Sequence, residues 1–212
     1  KGLSHKGKHT DVTFGFLRDV VTFQKRFMAD NCVFCFDHGK SLRSKVFPGY
    51  KANRARGEMD AMRLMELQSV KEQLIELEEH ILPDVGFKNV LSQEGYEADD
   101  LIAFVCHDFL NEYGDEAVIV GNDRDLLQLL SGQVSIWNFR KHVTLQSFHA
   151  EWRLDPKQWA DVKALAGCPT DGIKGIKGVG ELTATKFLRD GLKSGKTLDR
   201  IDCNKGYNLG NC

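Results

Sequence analysis

No apolar run in this 212-residue chain approaches the ~20 residues that a helix needs to cross a bilayer. The opening KGLSHKGKHT has no apolar core, so it does not read as a secretory signal. The first residue is Lys1 rather than Met, and a processed, trimmed or partial chain is expected, with a segment N-terminal to it missing. Internal repeats and low-complexity linkers are lacking too, which leaves ordinary compact folding units. Cysteine is present but short of a pattern. Six stand at 32, 35, 106, 168, 203 and 212, and only NCVFCF spaces two as C-x-x-C. In a strand-like run those two point to opposite faces, and no second pair completes a zinc site. Buried, reduced thiols in a cytoplasmic protein are expected.

Net charge is also nearly absent, with 29 basic against 30 acidic residues, but the average hides segregation. HGKSLRSKVFPGYKANRARG (38–57) holds three Lys, three Arg and no acid, whereas 58–82 holds seven acids and two bases. A phosphate-binding surface needs local positive potential, not a high overall pI. The remainder is a soluble globular balance, 42% apolar and 28% charged, long enough for one α/β domain and a small second unit.

Apolar spacing places an amphipathic helix over 14–27 and a long helix over 58–82, with Leu67, Val70, Leu74, Leu77 and Ile81 as its stripe. The methionines at its start, Met59, Met62 and Met65, read as packing. Short strands are expected at 32–36, 87–91, 117–121 (buried on both faces) and 133–138. Helices are expected over 97–113 and from DLLQLL onward. Strands alternating with helices imply a largely parallel sheet with helices on both sides. After about 145 the strand pattern stops. LDPKQWADVKALAG reads as a helix, followed by GIKGIKGVGELTATKFL, a glycine-rich hairpin that opens another helix. Bare backbone N–H groups and a positive dipole end suit a phosphate there, reinforced by Lys174, Lys177 and Lys186. This hairpin resembles a helix-hairpin-helix motif, which grips the nucleic-acid backbone without reading sequence.

Carboxylates collect at the C-terminal ends of strands, where open α/β sheets place their sites. Asp37 follows one strand, Glu97, Asp99 and Asp100 follow another, Asp123 and Asp125 a third, and Asp171 precedes the glycine hairpin. Any one of these, read alone, is a plausible helix cap. Together they would repel strongly unless cations neutralise them, and hard oxygen donors in this number suit Mg²⁺ or Mn²⁺. Two such ions about 4 Å apart are the usual apparatus of phosphodiester hydrolysis.

FDHGKSLRSKVFPGYKANR, GYEADDLIA, VIVGNDRDLLQLLS and GIKGIKGVGELTATKFL, in this order over about 14–190, resemble the 5′ nuclease family. That family comprises bacteriophage 5′–3′ exonucleases, flap endonucleases and the 5′-nuclease domain of bacterial DNA polymerase I. The resemblance implies a PIN-like parallel sheet flanked by helices, with a helical arch over about 40–82 and a C-terminal helix-hairpin-helix subdomain. Residues 1–145 would form the nuclease domain, lacking its first strand, and 146–212 the DNA-binding subdomain. It implies a structure-specific nuclease with two Mg²⁺ or Mn²⁺ ions. Asp37, Glu97, Asp99 and Asp100 match the first metal cluster, and Asp123, Asp125 and Asp171 the second. Lys51 and Arg54 match the residues that contact the scissile phosphate, and Tyr50 would stack on a base. Arg43, Tyr50, Lys51 and Arg54, with Gly175, Lys177, Gly178, Gly180 and Lys186 of the hairpin, would contact DNA, and the hairpin would carry a bound K⁺. The implied partner is branched or 5′-ended DNA, or an RNA/DNA duplex, met by a monomer with no membrane contact in a bacterial or phage-infected cytoplasm.

Two departures stand out. The family carries a further Asp on a first strand upstream of anything present, and Cys168 stands where it has Asp, three residues before Asp171. A neutral thiol is a poor ligand for Mg²⁺, so a weaker second ion is expected. The competing readings are a DNA-binding relative with weak or lost cleavage, and another acidic-site α/β enzyme such as a PIN-type ribonuclease or a phosphatase.

Overall fold

The computed structural model describes residues 3–5, 8–52, 60–110 and 114–191. Arg54, Cys203 and Cys212 lie outside these residues. The chain divides into two compact units, Lys1–Ser41 with Gly57–Leu101, and Leu42–Arg56 with Ile102–Cys212.

The first unit opens with an antiparallel pair, β1 (Ser4–His5) and β2 (Lys8–His9). Helix α1 (Asp11–Phe27) begins three residues earlier than its apolar spacing suggests. Its N-cap Thr10 makes no side-chain cap bond, so the free N–H groups of the first turn need another acceptor. They find it 61 residues away: Oε1 of the buried Gln73 accepts from Val12 and Thr13 at 3.1 and 3.3 Å. Gln73 belongs to α3 (Ala61–Glu76), which starts where Asp60 accepts from Arg63 N–H at 2.7 Å. The helix then widens into a π turn (Leu77–Ile81) and closes as α4 (Leu82–Asp84). Leu77 and Leu82 are fully buried. The rest of the expected stripe is not: Leu67, Val70 and Leu74 are exposed, and Met62 and Met65 face solvent at 73% and 72%. The expectation that these methionines pack in a core is corrected for both.

Strands β3 (Phe34–Phe36) and β4 (Val90–Ser92) pair in parallel, Phe34 opposite Val90. Both are shorter than the sequence reading, and β4 lies toward the C-terminal side of its expected span. Phe87, expected in that strand, instead meets the buried Phe34 edge-on, ring centroids 5.0 Å apart. Helix α5 (Ala98–Phe104) starts in this unit, and the boundary between units falls inside it.

In the second unit the basic segment contributes α2 (Arg43–Val46) and the turn after it. The π turn Val105–Phe109 continues the chain of α5. Strand β5 (Ala117–Val120) runs parallel to β6 (Val134–Trp137), and β7 (His142–Val143) joins β6 antiparallel. The expectation that β5 is buried on both faces is corrected: Ile119 is buried but Val120 is 39% exposed. DLLQLL forms a 3-10 helix (Arg124–Leu129) rather than the start of an α-helix. Helix α6 (Leu145–Trp152) opens with a Thr144–Ser147 capping box, and a 3-10 turn at Pro156–Gln158 leads into α7 (Trp159–Ala166). Strand pairing also continues past residue 145, as β8 (Gly167–Cys168) against β9 (Ile173–Lys174), before α8 (Glu181–Gly191). Ile136, Phe148, Trp159, Val162 and Leu188 centre the core of this unit.

Candidate metal and nucleic-acid site

In the acidic turn GYEADD, carboxylates accept hydrogen bonds from backbone N–H groups. Asp37, just past the end of β3, accepts from Ala98 N–H through Oδ1 at 2.7 Å, capping α5 from a distant strand. Asp100 Oδ2 accepts from Glu97 N–H at 3.0 Å, the returning half of a capping box. Glu97 is only 9% exposed, and Asp99 lies in the same first turn. Gly95 N–H reaches His38 O at 3.4 Å, tying together the two loops that carry these acids. Four carboxylates therefore gather at one helix N-terminus, whose partial positive charge offsets part of their repulsion.

In the second unit Asp123 caps the 3-10 helix, its Oδ1 accepting from Asp125 N–H at 2.8 Å. Asp125 Oδ1 is sealed from solvent without a well-aligned hydrogen bond and faces the Lys163 ammonium at 3.1 Å. Lys163 Nζ also lies 3.5 Å from Glu181 Oε1, while Glu181 Oε2 meets Arg124 Nη1 at 2.6 Å. The Arg124 guanidinium stands 5.3 and 5.2 Å from the ring centroids of Trp152 and Trp159. Burial pulls the Lys163 ammonium down, but its contact with Asp125 and the carboxylate charges of Asp125 and Glu181 together hold it above its usual value.

Asp171 is placed beside Cys168, whose thiol donates to Asp171 Oδ2 at 3.2 Å. Lys51 N–H donates to Asp171 O at 3.0 Å, docking the PGYK turn onto the 168–172 turn. The approach is close: a Cβ on Gly172 would lie 2.6 Å from Gly49 O. The Lys51 ammonium rests 5.0 Å from the Tyr50 ring centroid, and Arg43 is exposed nearby in sequence.

The hairpin glycines divide into two kinds. Gly178 (φ 83°) and Gly180 have open space where a Cβ would go, and Lys174, Lys177 and Lys186 are exposed. Gly175 instead packs backbone to backbone, and a Cβ there would overlap the Ala166 carbonyl group. Its requirement for glycine is therefore steric.

Among the described residues no three His, Cys, Asp or Glu side chains close into a metal cage. The donor chemistry nonetheless fits a hard cation: the acids are oxygen donors, several already oriented by backbone caps. The C-x-x-C thiols are free, and the expectation that they are buried is corrected: Cys32 and Cys35 are both half-buried. Burial raises Cys32 and pushes Cys35 up to about 11, the mark of structural thiols. No helix among the described residues is long and apolar enough to cross a membrane.

Lys163, Glu181 and Gln73 carried no signal in the sequence, because each acts through a neighbour distant along the chain; Gly172 was visible only as the first glycine of GIKGIKGVG. Arg124 did carry one, as the base between two acids in NDRD.

The α/β arrangement is that of the 5′-exonuclease fold. A solved bacteriophage T5 flap endonuclease, a pseudo-enzyme–product complex with DNA and metal ions, matches with a TM-score of 0.72 over 83% of this chain and 65% of that one, at 23% identity. The chain belongs to the family of the 5′-3′ exonuclease, N-terminal resolvase-like domain, whose model matches residues 2–157. It is 35% identical over 206 residues, 94% of its length, to a 5′-3′ exonuclease of Bacillus subtilis, of which it spans 64%. It is 33% identical over 212 residues, 99% of its length, to a thermostable DNA polymerase I of Thermus thermophilus, of which it spans 24%. The chain thus spans less than two thirds of either relative.

Proposed function

We propose that the chain is a divalent-metal-dependent, structure-specific 5′ nuclease that hydrolyses DNA phosphodiesters as an exonuclease or flap endonuclease. The observation that carries this reading is the hydrogen bond from Ala98 N–H to Asp37 Oδ1, 2.7 Å, which brings an acid from the end of β3 to the Glu97–Asp100 turn. Asp37, Glu97, Asp99 and Asp100 would hold one ion, and Asp123, Asp125 and Asp171 a second, Mg²⁺ or Mn²⁺ in each case. Bound there, the ions would supply a water of lowered pKa and Lewis acidity toward phosphate oxygens.

The chain's own residues do the rest. Lys51, set beside Asp171 by its backbone bond, places positive charge where charge develops on the scissile phosphate, with Arg54 as its partner in sequence. Tyr50 offers a stacking face, and Arg43 extends the basic surface of an arch over 40–82. Gly178 and Gly180 leave N–H groups open to a duplex backbone, with Lys177 and Lys186 beside them and K⁺ as a bound counter-ion. We read this hairpin, Gly175 included as its steric hinge, as a helix-hairpin-helix within a DNA-gripping part over 146–212, and residues 1–145 as the nuclease part. Branched or 5′-ended DNA is the expected substrate, RNA/DNA an extension of it, in the cytoplasm and as a monomer.

A second reading, a DNA-binding relative with weak cleavage, is favoured by one observation. The Cys168 thiol, not a carboxylate, stands 3.2 Å from Asp171 Oδ2. A 5′-labelled flap substrate with Mg²⁺ or Mn²⁺ separates the two. Cleavage that falls at least about 100-fold in Asp99→Asn supports the nuclease, and equal cleavage by both proteins would sink the metal assignment. Flap binding without cleavage in either metal gives the second reading.

A further inference from the structure

The Asp125 carboxylate already has a cation. Its buried Oδ1 sits 3.1 Å from Lys163 Nζ, where a divalent ion bound by Asp125 would also need its negative charge. One oxygen beside an ammonium gains less from a second cation, because the two cations repel. The lysine has somewhere else to go: Glu181 Oε1 lies 3.5 Å from the same nitrogen. Glu181 is a prepared acceptor, since its other oxygen is fixed by Arg124 at 2.6 Å. Arg124 in turn lies against Trp152 and Trp159, whose rings meet edge-on with centroids 5.0 Å apart.

We propose that Lys163 is an internal counter-cation for Asp125, which passes its ammonium to Glu181 when a divalent ion binds. Lys163, Glu181 and Arg124 are positioning residues in this scheme; none touches the reacting phosphate. Because Glu181 is the first residue of α8, directly after the glycine hairpin, the hand-over also links the metal state of Asp125 to the element that faces the duplex. The inference rests on Asp125 being a metal ligand.

The test is a Mn²⁺ titration of the whole chain without DNA, following free Mn²⁺ by its electron paramagnetic resonance signal. Lys163→Met removes the competing cation and should tighten the Asp125-dependent step roughly three- to tenfold, the range expected for a partly buried ion pair. Glu181→Gln leaves the ammonium without a charged acceptor and should weaken the same step by a similar factor. A purely structural role for the network would weaken binding in both variants, so opposite signs support the hand-over and equal signs overturn it. Asp125→Asn separates the levels. If it leaves the titration unchanged, the metal role of Asp125 fails and the hand-over with it. If it abolishes the step while Lys163→Met changes nothing, only the hand-over fails.

Discussion

At the scale of single residues, polar side chains here serve backbone groups far from them in sequence. Gln73 closes the start of α1, and Asp37 closes the start of α5. Such caps are each worth on the order of 1 kcal/mol, so Asp37 contributes to folding as well as to any metal site. Cys35 shows the opposite behaviour, a group kept out of chemistry by its surroundings. Burial pushes its thiol from 9.0 up to about 11, so the folded chain binds that proton more tightly than the unfolded one. Its stabilising contribution is complete below pH 9.0 and lost as the pH climbs through about 11. At pH 8 such a thiol presents roughly 100-fold less thiolate than an ordinary cysteine. Alkylation of the native chain with iodoacetamide at that pH should therefore label Cys35 about 100-fold more slowly than the same chain in denaturant, read by peptide mass spectrometry.

At the scale of elements, the docking of the PGYK turn on the 168–172 turn is sensitive to a single substitution. Gly172 has φ 76°, and an added Cβ would meet Gly49 O at 2.6 Å, a carbonyl that cannot move without moving Lys51. Gly172→Ala should cost about 1 kcal/mol or more in stability from the left-handed backbone alone. It should also lower kcat on a flap substrate by more than that destabilisation explains. The urea midpoint and steady-state kinetics on the same preparation check both.

The elements themselves were legible in uneven measure. Helix α1, the long helix and the strand ends carrying Asp37 and Asp123 followed from apolar spacing and turn residues. The widened turns at Leu77–Ile81 and Val105–Phe109 did not, because a single π turn inside an α-helix has no residue-type signature of its own. The β8–β9 pair escaped notice because two-residue strands have no alternation to read. Among site residues, the acids announced themselves by clustering. Lys163 and Glu181 did not, since a lysine on α7 and a glutamate on α8 look like any solvated pair until the fold brings them together.

At the scale of the whole molecule, a net charge of −1 coexists with two locally basic tracts, the one that includes Arg43 and Lys51 and the one around Lys174, Lys177 and Lys186. Affinity for duplex DNA should therefore fall steeply with salt despite the balanced total. Replacing Lys177 and Lys186 with alanine should reduce the slope of log affinity against log salt by about 0.9 for each phosphate left without its lysine. Fluorescence anisotropy in Ca²⁺ across a range of KCl measures it, and an unchanged slope would remove the hairpin from the interface.

The three tryptophans of the chain, at 137, 152 and 159, all belong to the second compact unit. Two of them lie against the Arg124 guanidinium. The tryptophan emission of this protein, selected by red-edge excitation, thus arises from one unit alone. Trp152 and Trp159 report the surroundings of Arg124 and its partner Glu181, whereas the GYEADD turn carries only the weaker tyrosine emission of Tyr96.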